Sequence, residues 1–469
     1  MTRTLRWIAL VGALAGCAYY NGLYNANQLA KEARKAESKG RTGEAKSYWA
    51  QAAVKAETVT ARYPTSKYRD DALLLQGVAL AHTDLCLQAI APLTLAVDSS
   101  PDPVLRQKAQ LQLGECYLET NSPDSARQAL TPLVASKNAT IRSEALLARG
   151  RAGLALGNPT AALEDLNRTK LPAAAFPRAL ALLHLRLVDS AAAVLRARVA
   201  GPFDEAAWAS LLDSLAAANP DAASAIAATL AQRSNLSSGE RARLRLDDGK
   251  RRVARGELAK AATDFEAATN LAPDSLEGHD AKAYLAIVHL RRATAADSVD
   301  ALQKELTEAK NQISADIGAV VDPALSALGR IRRAMADSSP DATLRLFRTT
   351  EVMRDSLHAP KLAGNLFLWL ARERPTSLLA PKALLAAAAL RPAIAESVAT
   401  VLNAKYPASV YTLALHGEGA ARYAAVEDSL AHALRGGKTL PSDAREVSPR
   451  RAREEHPTRA ILHDTTLNR

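Results

Sequence analysis

Cysteine and histidine are the residues best suited to metal or redox chemistry, and in this chain neither is arranged for it. The three cysteines stand at positions 17, 86 and 116 and include no C-x-x-C pair. The nine histidines are scattered, with His279 and His289 ten residues apart and His82 alone. Ligands on one helix face need a spacing of three or four residues. The sequence therefore predicts no metal site and no cofactor.

One pair, Glu396-Ser397, raises the question of an enzyme. It resembles the catalytic glutamate–serine pair of lytic transglycosylases, some of which carry an alanine-rich superhelix ahead of the catalytic domain. The Gly-Leu-Met-Gln stretch that follows in that family is absent, and only 72 residues follow Ser397. Zinc-protease, nucleotide-binding and hydrolase motifs are also absent. We predict no catalytic residue and keep a cell-wall lytic enzyme as the alternative of another class.

The first seventeen residues are typical of an export signal. Arg3 and Arg6 precede an apolar run over 7–14 that is too short to span a bilayer, and Leu14-Ala15-Gly16-Cys17 follows. This tetrapeptide resembles a bacterial lipobox, which implies cleavage before Cys17, a diacylglycerol on its sulfur and an acyl chain on its amine. Several chains would give stable anchoring. The alternative is an ordinary secretory peptide with an incidental cysteine.

The residue after the cysteine is Ala18 rather than aspartate. In lipoprotein sorting of the proteobacterial type, this resemblance implies the outer membrane. We therefore expect a lipid-anchored protein on the periplasmic face of the outer membrane.

Composition points to helices throughout. Of 469 residues, 48% are hydrophobic but only 4% aromatic, and alanine and leucine fill stretches such as 384–390. Small helix formers take the place of the β-branched and aromatic residues that strands prefer. The sequence predicts an all-α fold with ample material for a core.

The net charge of +11 falls to +9 once cleavage removes Arg3 and Arg6, which is mild for this length. A nucleic-acid binder would concentrate its charge in a basic stripe with aromatic stacking partners. We expect no nucleic-acid partner and no small-molecule substrate, and we interpret the excess as solubility with a weak preference for anionic partners.

A fixed spacing recurs along the chain. Counting from Gly77, small residues stand at +12 and +19, a large apolar residue at +16 and proline at +24; Gly249 shows the same series. Gly114 and Gly150 repeat the small residue at +12 and the large apolar residue at +16, and Ala33 begins an earlier unit. We call these five residues the reference residues.

Such spacing is typical of antiparallel helix pairs that approach closely at small residues. It resembles the tetratricopeptide repeat. The resemblance implies an α-α superhelical solenoid of tetratricopeptide-like helix pairs, which is the fold we predict.

The repeats divide the chain into segments. From Val299 an apolar heptad runs through Leu302 and Leu306, which favours one long amphipathic helix over a coiled coil. The predicted segments are a signal peptide (1–16), N-terminal repeats (17–175), degenerate alanine-rich repeats (176–238), further repeats (239–298), the long helix with a connector (299–360), C-terminal helical repeats (361–435) and a disordered tail (436–469).

The repeat register also places two cysteines near each other. Cys86 falls at the start of one unit's second helix and Cys116 late in the next unit's first helix. Two outcomes stay open, a disulfide or two buried free thiols.

Solenoids of this kind bind extended peptides or partner helices on the face lined by the first helix of each unit. The register turns seven polar residues toward that face, and a merely solvated charged face is the alternative for each. They are Lys108, Gln112, Glu115, Arg151, Arg243, Asp247 and Lys250. Leu74 and Val78 stand where some cytosolic relatives hold a clamp for C-terminal carboxylates, which disfavours a receptor of that type.

The N-terminal third carries a further resemblance. A lipobox, Tyr24-Asn25-Ala26 and a first repeat ending in Tyr63-Pro64-x-Ser66-x-Tyr68 look like the BamD-type outer-membrane lipoproteins. This implies a non-enzymatic scaffold for envelope proteins, in outer-membrane protein assembly or envelope secretion. The chain continues some 200 residues beyond that family's length, and a cell-division or peptidoglycan-coordination lipoprotein is the alternative.

Overall fold

Prolines, glycines and left-handed residues decide where the helices begin and end. The computed structural model describes residues 22–419 and 422–428, and none of these lies in a strand. The helices are α1 (22–37), α2 (Thr42–Arg62), α3 (Arg69–Ala81), α4 (Cys86–Ser99), α5 (Pro103–Glu119), α6 (Pro123–Leu130), α7 (Ala139–Ala155), α8 (Pro159–Arg168), α9 (Ala175–His184), α10 (Val188–Arg198), α11 (Glu205–Ala218), α12 (Pro220–Ala231), α13 (Ser238–Ala254), α14 (Leu258–Leu271), α15 (Leu276–Arg292), α16 (Val299–Ala309), α17 (Ala315–Ala336), α18 (Pro340–Asp355), α19 (Pro360–Glu373), α20 (Ala380–Leu390), α21 (Ala395–Lys405), α22 (Val410–Leu415) and α23 (422–428).

The chain forms two compact units, Met1–Ile226 and Ala227–Arg469, and the boundary between them falls inside α12. Within each unit, consecutive helices pack against one another. The fold is thus an all-α solenoid of helix pairs, as predicted. None of the described helices is both long and apolar enough to cross a membrane.

The reference glycines lie where the two helices of a pair touch. A β-carbon on Gly114 or Gly150 would fall 2.6 Å from the Cγ of Leu130 or Leu166, the large residue at +16. Both leucines are fully buried. Because only glycine leaves room for the leucine, the helices approach closely and bury a continuous apolar seam.

The turn inside each pair reverses the chain at one left-handed residue. It lies seven residues after the reference residue, as in Gly40, Asp84 and Gly157, with φ of 72°, 61° and 69°. Besides glycine, asparagine and aspartate adopt this left-handed conformation more readily than other residues. These units therefore share the same backbone conformation at the turn between their two helices.

The turn between pairs also recurs. Pro64 and Pro407 each follow the end of a second helix, and the serine two residues later donates its N–H to the carbonyl before the proline, at 3.1 Å for Ser66 and 3.0 Å for Ser409. The same hydrogen bond forms at Ser275 and Ser377. Proline thus ends the second helix, and serine starts the next pair.

In residues 176–238 no segment matches the repeat spacing well, yet the structure contains one repeat unit there. Ala179 takes the reference position, with Ala191 at +12 and Leu195 at +16 all fully buried. Arg186, at +7, has a φ of 61°. Alanine at the reference position and arginine at the turn position, where other units have glycine, hide this pair, α9 and α10, from the pattern.

The segment 299–360 is predicted as one long amphipathic helix with a connector, but its structure is more divided. The structure has three helices there, α16, α17 and α18. Gln312 takes a φ of 60° in the turn after α16, and the Ser314 N–H donates to the buried Asp280 carboxylate at 2.8 Å. The heptad leucines Leu302 and Leu306 are buried as an amphipathic helix requires, but the periodicity carries no signal for this turn.

Helices α19 to α22 pack around Phe367, Leu370 and Leu402 in the C-terminal unit. The predicted signal peptide, Cys17 and the predicted tail over 436–469 lie outside the described residues.

Candidate partner-binding face

The first helices of successive pairs pack side by side, α3 on α5, α5 on α7 and, in the other unit, α13 on α15. Positions six and two residues before and one residue after each reference residue fall on one side of a first helix, away from the reference residue that touches the second helix. We call this surface of each unit the inner face. In the N-terminal unit it carries Asp71, Val78, Lys108, Gln112, Glu115, Glu144 and Arg151.

Opposite charges alternate across the inner face of the N-terminal unit. On α3, burial raises the pKa of Asp71, and the charges of Asp102 and Asp70 raise it further. The positive charge of Lys108, on the neighbouring α5, acts in the opposite direction. Unlike charges therefore interact across neighbouring first helices, but the Lys108 charge does not reverse the raised pKa of Asp71.

Glu115 is the most enclosed ionisable group of this face. Burial raises its pKa first, and the charges of Glu144 and Glu119 raise it further, while Arg151 and a hydrogen bond with Gln112 act in the opposite direction. Arg151 also pairs with Glu119 at 3.3 Å. Carboxylates outnumber cations here, so the face lacks the basic character that the net charge of the chain suggested.

In the C-terminal unit the predicted residues stand together on α13. Arg243 lies 3.9 Å from Asp247 and 3.7 Å from Glu277 of α15, and Lys250 lies 3.6 Å from Asp247. The Lys250 ammonium also lies 5.3 Å from the ring of Tyr284. Burial raises the pKa of that tyrosine first, and nearby carboxylates raise it further.

By this definition, the inner face of the N-terminal unit includes four of the seven predicted residues, and that of the C-terminal unit includes the other three. Each face carries side chains of both charges, a tyrosine or an amide, and the aliphatic parts of its lysine and arginine side chains. Such a surface can hold an extended polypeptide through side-chain hydrogen bonds and ion pairs.

The two cysteines meet as a disulfide. Cys86 opens α4, Cys116 lies in the last turn of α5, and their Cα atoms are 4.9 Å apart. The bond joins one unit's second helix to the next unit's first helix, so it fixes the stacking of two repeats.

The residues considered for chemistry have ordinary surroundings. Glu396 is exposed in the first turn of α21. His82 stacks on Trp49 with ring centroids 4.3 Å apart, and His289 lies 2.6 Å from Glu305. No group of three candidate metal ligands occurs among the described residues.

Two buried carboxylates escaped the sequence reasoning. Arg149 forms a bidentate pair with Asp165, at 2.7 and 2.6 Å, and this hydrogen bonding is the main reason that the pKa of Arg149 is raised. Asp264 pairs with Arg245 at 3.0 Å and Arg252 at 2.7 Å. Both aspartates stand at +15, directly before the large core residue. This shared position in the repeat could have identified them from the sequence.

A second missed feature is a set of arginines that reach back to the preceding pair. Arg106 and Arg142 donate to the carbonyls of Ser100 and Ser136, at 3.4 and 2.5 Å, and Arg178 donates to the Leu166 carbonyl at the end of α8. These arginines are 36 residues apart in the sequence. We call them latch arginines, because each satisfies carbonyls that the end of a helix or turn leaves open.

No protein-family model matches the chain. No curated protein matches it either. Among solved structures, it is similar to a tetratricopeptide repeat protein from Parabacteroides merdae, with 17% identity over 53% of this chain and 93% of that chain and a TM-score of 0.36.

It is also similar to the APC/C hetero-tetramer Cut9–Hcn1, with 13% identity over 81% of this chain and 91% of that one and a TM-score of 0.28. A third similar structure is Naa15/Naa10 bound to HypK-THB, with 12% identity, 94% and 70% coverage and a TM-score of 0.28. The glycine–leucine contacts and left-handed turns of its own helix pairs give this chain its tetratricopeptide-like fold.

Proposed function

We propose that this protein is a non-enzymatic scaffold on the periplasmic face of the outer membrane, held there by lipid on Cys17. Its inner faces would hold partner polypeptides during outer-membrane protein assembly or envelope secretion. The alternating charges on adjacent first helices, from Asp71 through Lys108 to Glu144, are the observation that carries the proposal. The Leu14–Cys17 sequence supports lipid attachment at Cys17, and Ala18 after it supports the outer membrane as the destination.

The partner-binding part is tested by reversing charges on one inner face. Lys108→Glu with Arg151→Glu leaves that face with carboxylates alone as its charged groups, so partner capture that depends on its mixed charge should fall. The matched control is Lys55→Glu with Arg127→Glu, an equal charge change at exposed sites on α2 and α6. The measurement is crosslinking to envelope proteins in cells. Equal crosslinking by both variants would contradict the proposal.

The enzyme alternative is tested with peptidoglycan. Purified protein should release no muropeptides, and Glu396→Gln should change nothing. Digestion that requires Glu396 would replace the scaffold by a lytic enzyme.

The anchor is tested by mass spectrometry of the mature N-terminus. Cys17→Ser should leave the precursor unprocessed by the lipoprotein signal peptidase. An unmodified Cys17 in the wild-type protein, or an N-terminus elsewhere, would end the lipoprotein interpretation.

A further inference from the structure

The disulfide between the two repeats differs at its two ends in access to solvent. Cys86, the first residue of α4, is 9% exposed, whereas Cys116, in the last turn of α5, is fully buried. A cavity of about 670 Å³ adjoins the first turn of α4, and Cys86 lines it while Cys116 does not. A reagent in solution therefore reaches the bond from the side of Cys86.

Core residues enclose the other cysteine. Cys116 belongs to the buried apolar cluster that α3, α4 and α5 form, together with Leu105, Ala109 and Leu113. Cys86 lies at the margin of this cluster, where the cavity begins. Reactive cysteines are partly exposed, and structural buried ones are inert. The two sulfurs should therefore differ strongly in their reactivity toward external thiols and disulfides.

Two exposed leucines flank the accessible cysteine. Leu85 is 41% exposed and Leu87 is 76% exposed, which is the highest value for a large apolar side chain within residues 22–419 and 422–428. Both side chains line the same cavity as Cys86. Neighbouring apolar side chains that stay exposed in this way are typical of a surface that contacts another protein. Here they surround a sulfur atom.

The two carboxylates that line this cavity are each paired with a cation. Asp84 pairs with Lys46 of α2, and Glu119 pairs with Arg151 of α7 at 3.3 Å. The attacking species in thiol–disulfide exchange is a thiolate, which carries a negative charge. Because the nearby carboxylates are paired, they repel an incoming thiolate less than unpaired ones would.

From the cavity, the burial of Cys116 and the flanking leucines, we infer that Cys86 is a site of thiol–disulfide exchange with a protein that carries a dithiol. Leu85 and Leu87 contact that protein, and Cys116 is the sulfur that leaves and returns. The exchange opens or closes the covalent link between α4 of one repeat and α5 of the next. It requires neither lipid on Cys17 nor a partner on the inner faces.

The exchange proceeds in two balanced steps. A thiolate of the partner attacks the Sγ atom of Cys86, a bond forms between these two sulfurs, and the Cys86–Cys116 bond breaks with its electron pair on Cys116, which takes up a proton. The partner's second thiolate then attacks the partner's own sulfur in this mixed disulfide. Cys86 leaves as a thiolate and is protonated. The partner dithiol is thereby oxidised to a disulfide, the chain is reduced to two thiols, and the reverse sequence forms the bond.

Variants of the full chain that keep one of the two cysteines test which sulfur reacts. Cys116→Ala leaves Cys86 as a thiol, and Cys86→Ala leaves Cys116. Since both variants lack the bond, each is the matched control of the other. The probe is oxidised glutathione, and peptide mass spectrometry locates the adduct, which keeps positions 17, 86 and 116 apart. Circular dichroism establishes that both variants are folded.

In the folded protein, Cys86 should form the adduct at least about tenfold faster than Cys116, because only Cys86 has access to solvent. In urea the two rates should become similar, since unfolding exposes both thiols. Equal rates in the folded state, or faster reaction at Cys116, would overturn the inference. A difference that persists in urea would also overturn it, because local sequence rather than the fold would then set the reactivity.

The wild-type chain tests the same assignment with its bond intact. The probe is a thioredoxin whose second active-site cysteine is replaced by serine, so that the mixed disulfide cannot be resolved by the probe. Rapid alkylation blocks the thiol that is released. The probe should be attached to Cys86, and the alkylated residue should be Cys116. Attachment of the probe to Cys116 would refute the assignment.

Leu87→Ser tests the contact with the dithiol protein. It should slow reduction by intact thioredoxin about fivefold or more, because a contact that buries Leu87 would lose most of its apolar area. Reduction by dithiothreitol, which makes no such contact, should keep its rate. Leu187→Ser is the matched control, at a leucine that is 48% exposed in the turn between α9 and α10, and it should change neither rate. An unchanged thioredoxin rate in Leu87→Ser, or equal slowing with both reductants, would overturn the role of the leucines.

Discussion

Gly114 and Leu130 are packed so tightly that the glycine hydrogen occupies the only space available, since a β-carbon there would lie 2.6 Å from two atoms of the leucine side chain. The same relationship joins Gly77 to Leu93 and, in the other unit, Gly249 to Phe265. In these pairs the position of the repeat is therefore fixed by one contact, where there is no room for a β-carbon on the first helix.

Gly114→Ala should destabilise the N-terminal unit by about 1–2 kcal/mol, because overpacking outweighs the gain in helix propensity. Gly43→Ala is the control, since no atom lies within 4 Å of the added carbon in α2, and it should stabilise by about 0.5–1 kcal/mol. Hydrogen exchange of α5 and α2 measures both effects. Similar protection in the two variants would show that the register is wrong.

Asp165→Asn should cost about 2–3 kcal/mol, less than a fully buried pair because Arg149 retains 22% of its side-chain exposure. Replacing both partners, with Arg149→Met and Asp165→Leu, should recover most of the loss. Urea unfolding followed by hydrogen exchange in α7 and α8 reports the change. The control is Asp124→Asn in an exposed pair, expected to cost under about 0.5 kcal/mol. A double variant no better than Asp165→Asn would contradict this account.

Glu115→Gln should stabilise the protein at neutral pH and lose that effect in acid. Burial raises the pKa of Glu115 above 4.5 in the folded state, so the folded state binds more protons and stability falls as the pH rises through that range. The variant lacks this penalty, and the difference should vanish below about pH 4. Urea unfolding from pH 4 to 8 measures it, with exposed Glu164→Gln as control. A variant less stable than wild type at pH 8 would refute the argument.

Reduction of the Cys86–Cys116 bond should lower the stability of the N-terminal unit by about 3–4 kcal/mol, since the bond closes a loop of 30 residues in the unfolded chain. Cys86→Ser with Cys116→Ser should show the same loss and no further response to reductant. Thermal unfolding with and without reductant tests this. An unchanged melting transition would mean that the bond contributes nothing.

How far the sequence predicts the fold depends on whether a position is marked by a distinctive residue. Gly77, Gly114, Gly150 and Gly249 mark the units because a β-carbon would clash there, whereas Ala179 fills the same role without a visible mark. Periodicity likewise finds amphipathic faces but misses turns such as the one at Gln312, which is why a long helix with a connector was expected where three helices occur.

For the candidate site, the register predicts which side of a first helix a residue occupies but not which residues of neighbouring helices it contacts. The pairing of Arg243 with Glu277 requires α13 and α15 to be aligned, and nothing in either helix alone gives that alignment. The buried aspartates at +15 were missed because a charged residue in an amphipathic helix normally indicates the exposed side.

The latch arginines give the solenoid a direction. Each one sits near the start of a pair and closes the carbonyls left open by the pair before it, as Arg142 does for Ser136 and Arg178 for Leu166. Each of these pairs therefore completes its hydrogen bonding only when the pair that follows it in the sequence has folded. A chain cut between two of these pairs should therefore keep its earlier repeats intact and leave only its last repeat frayed.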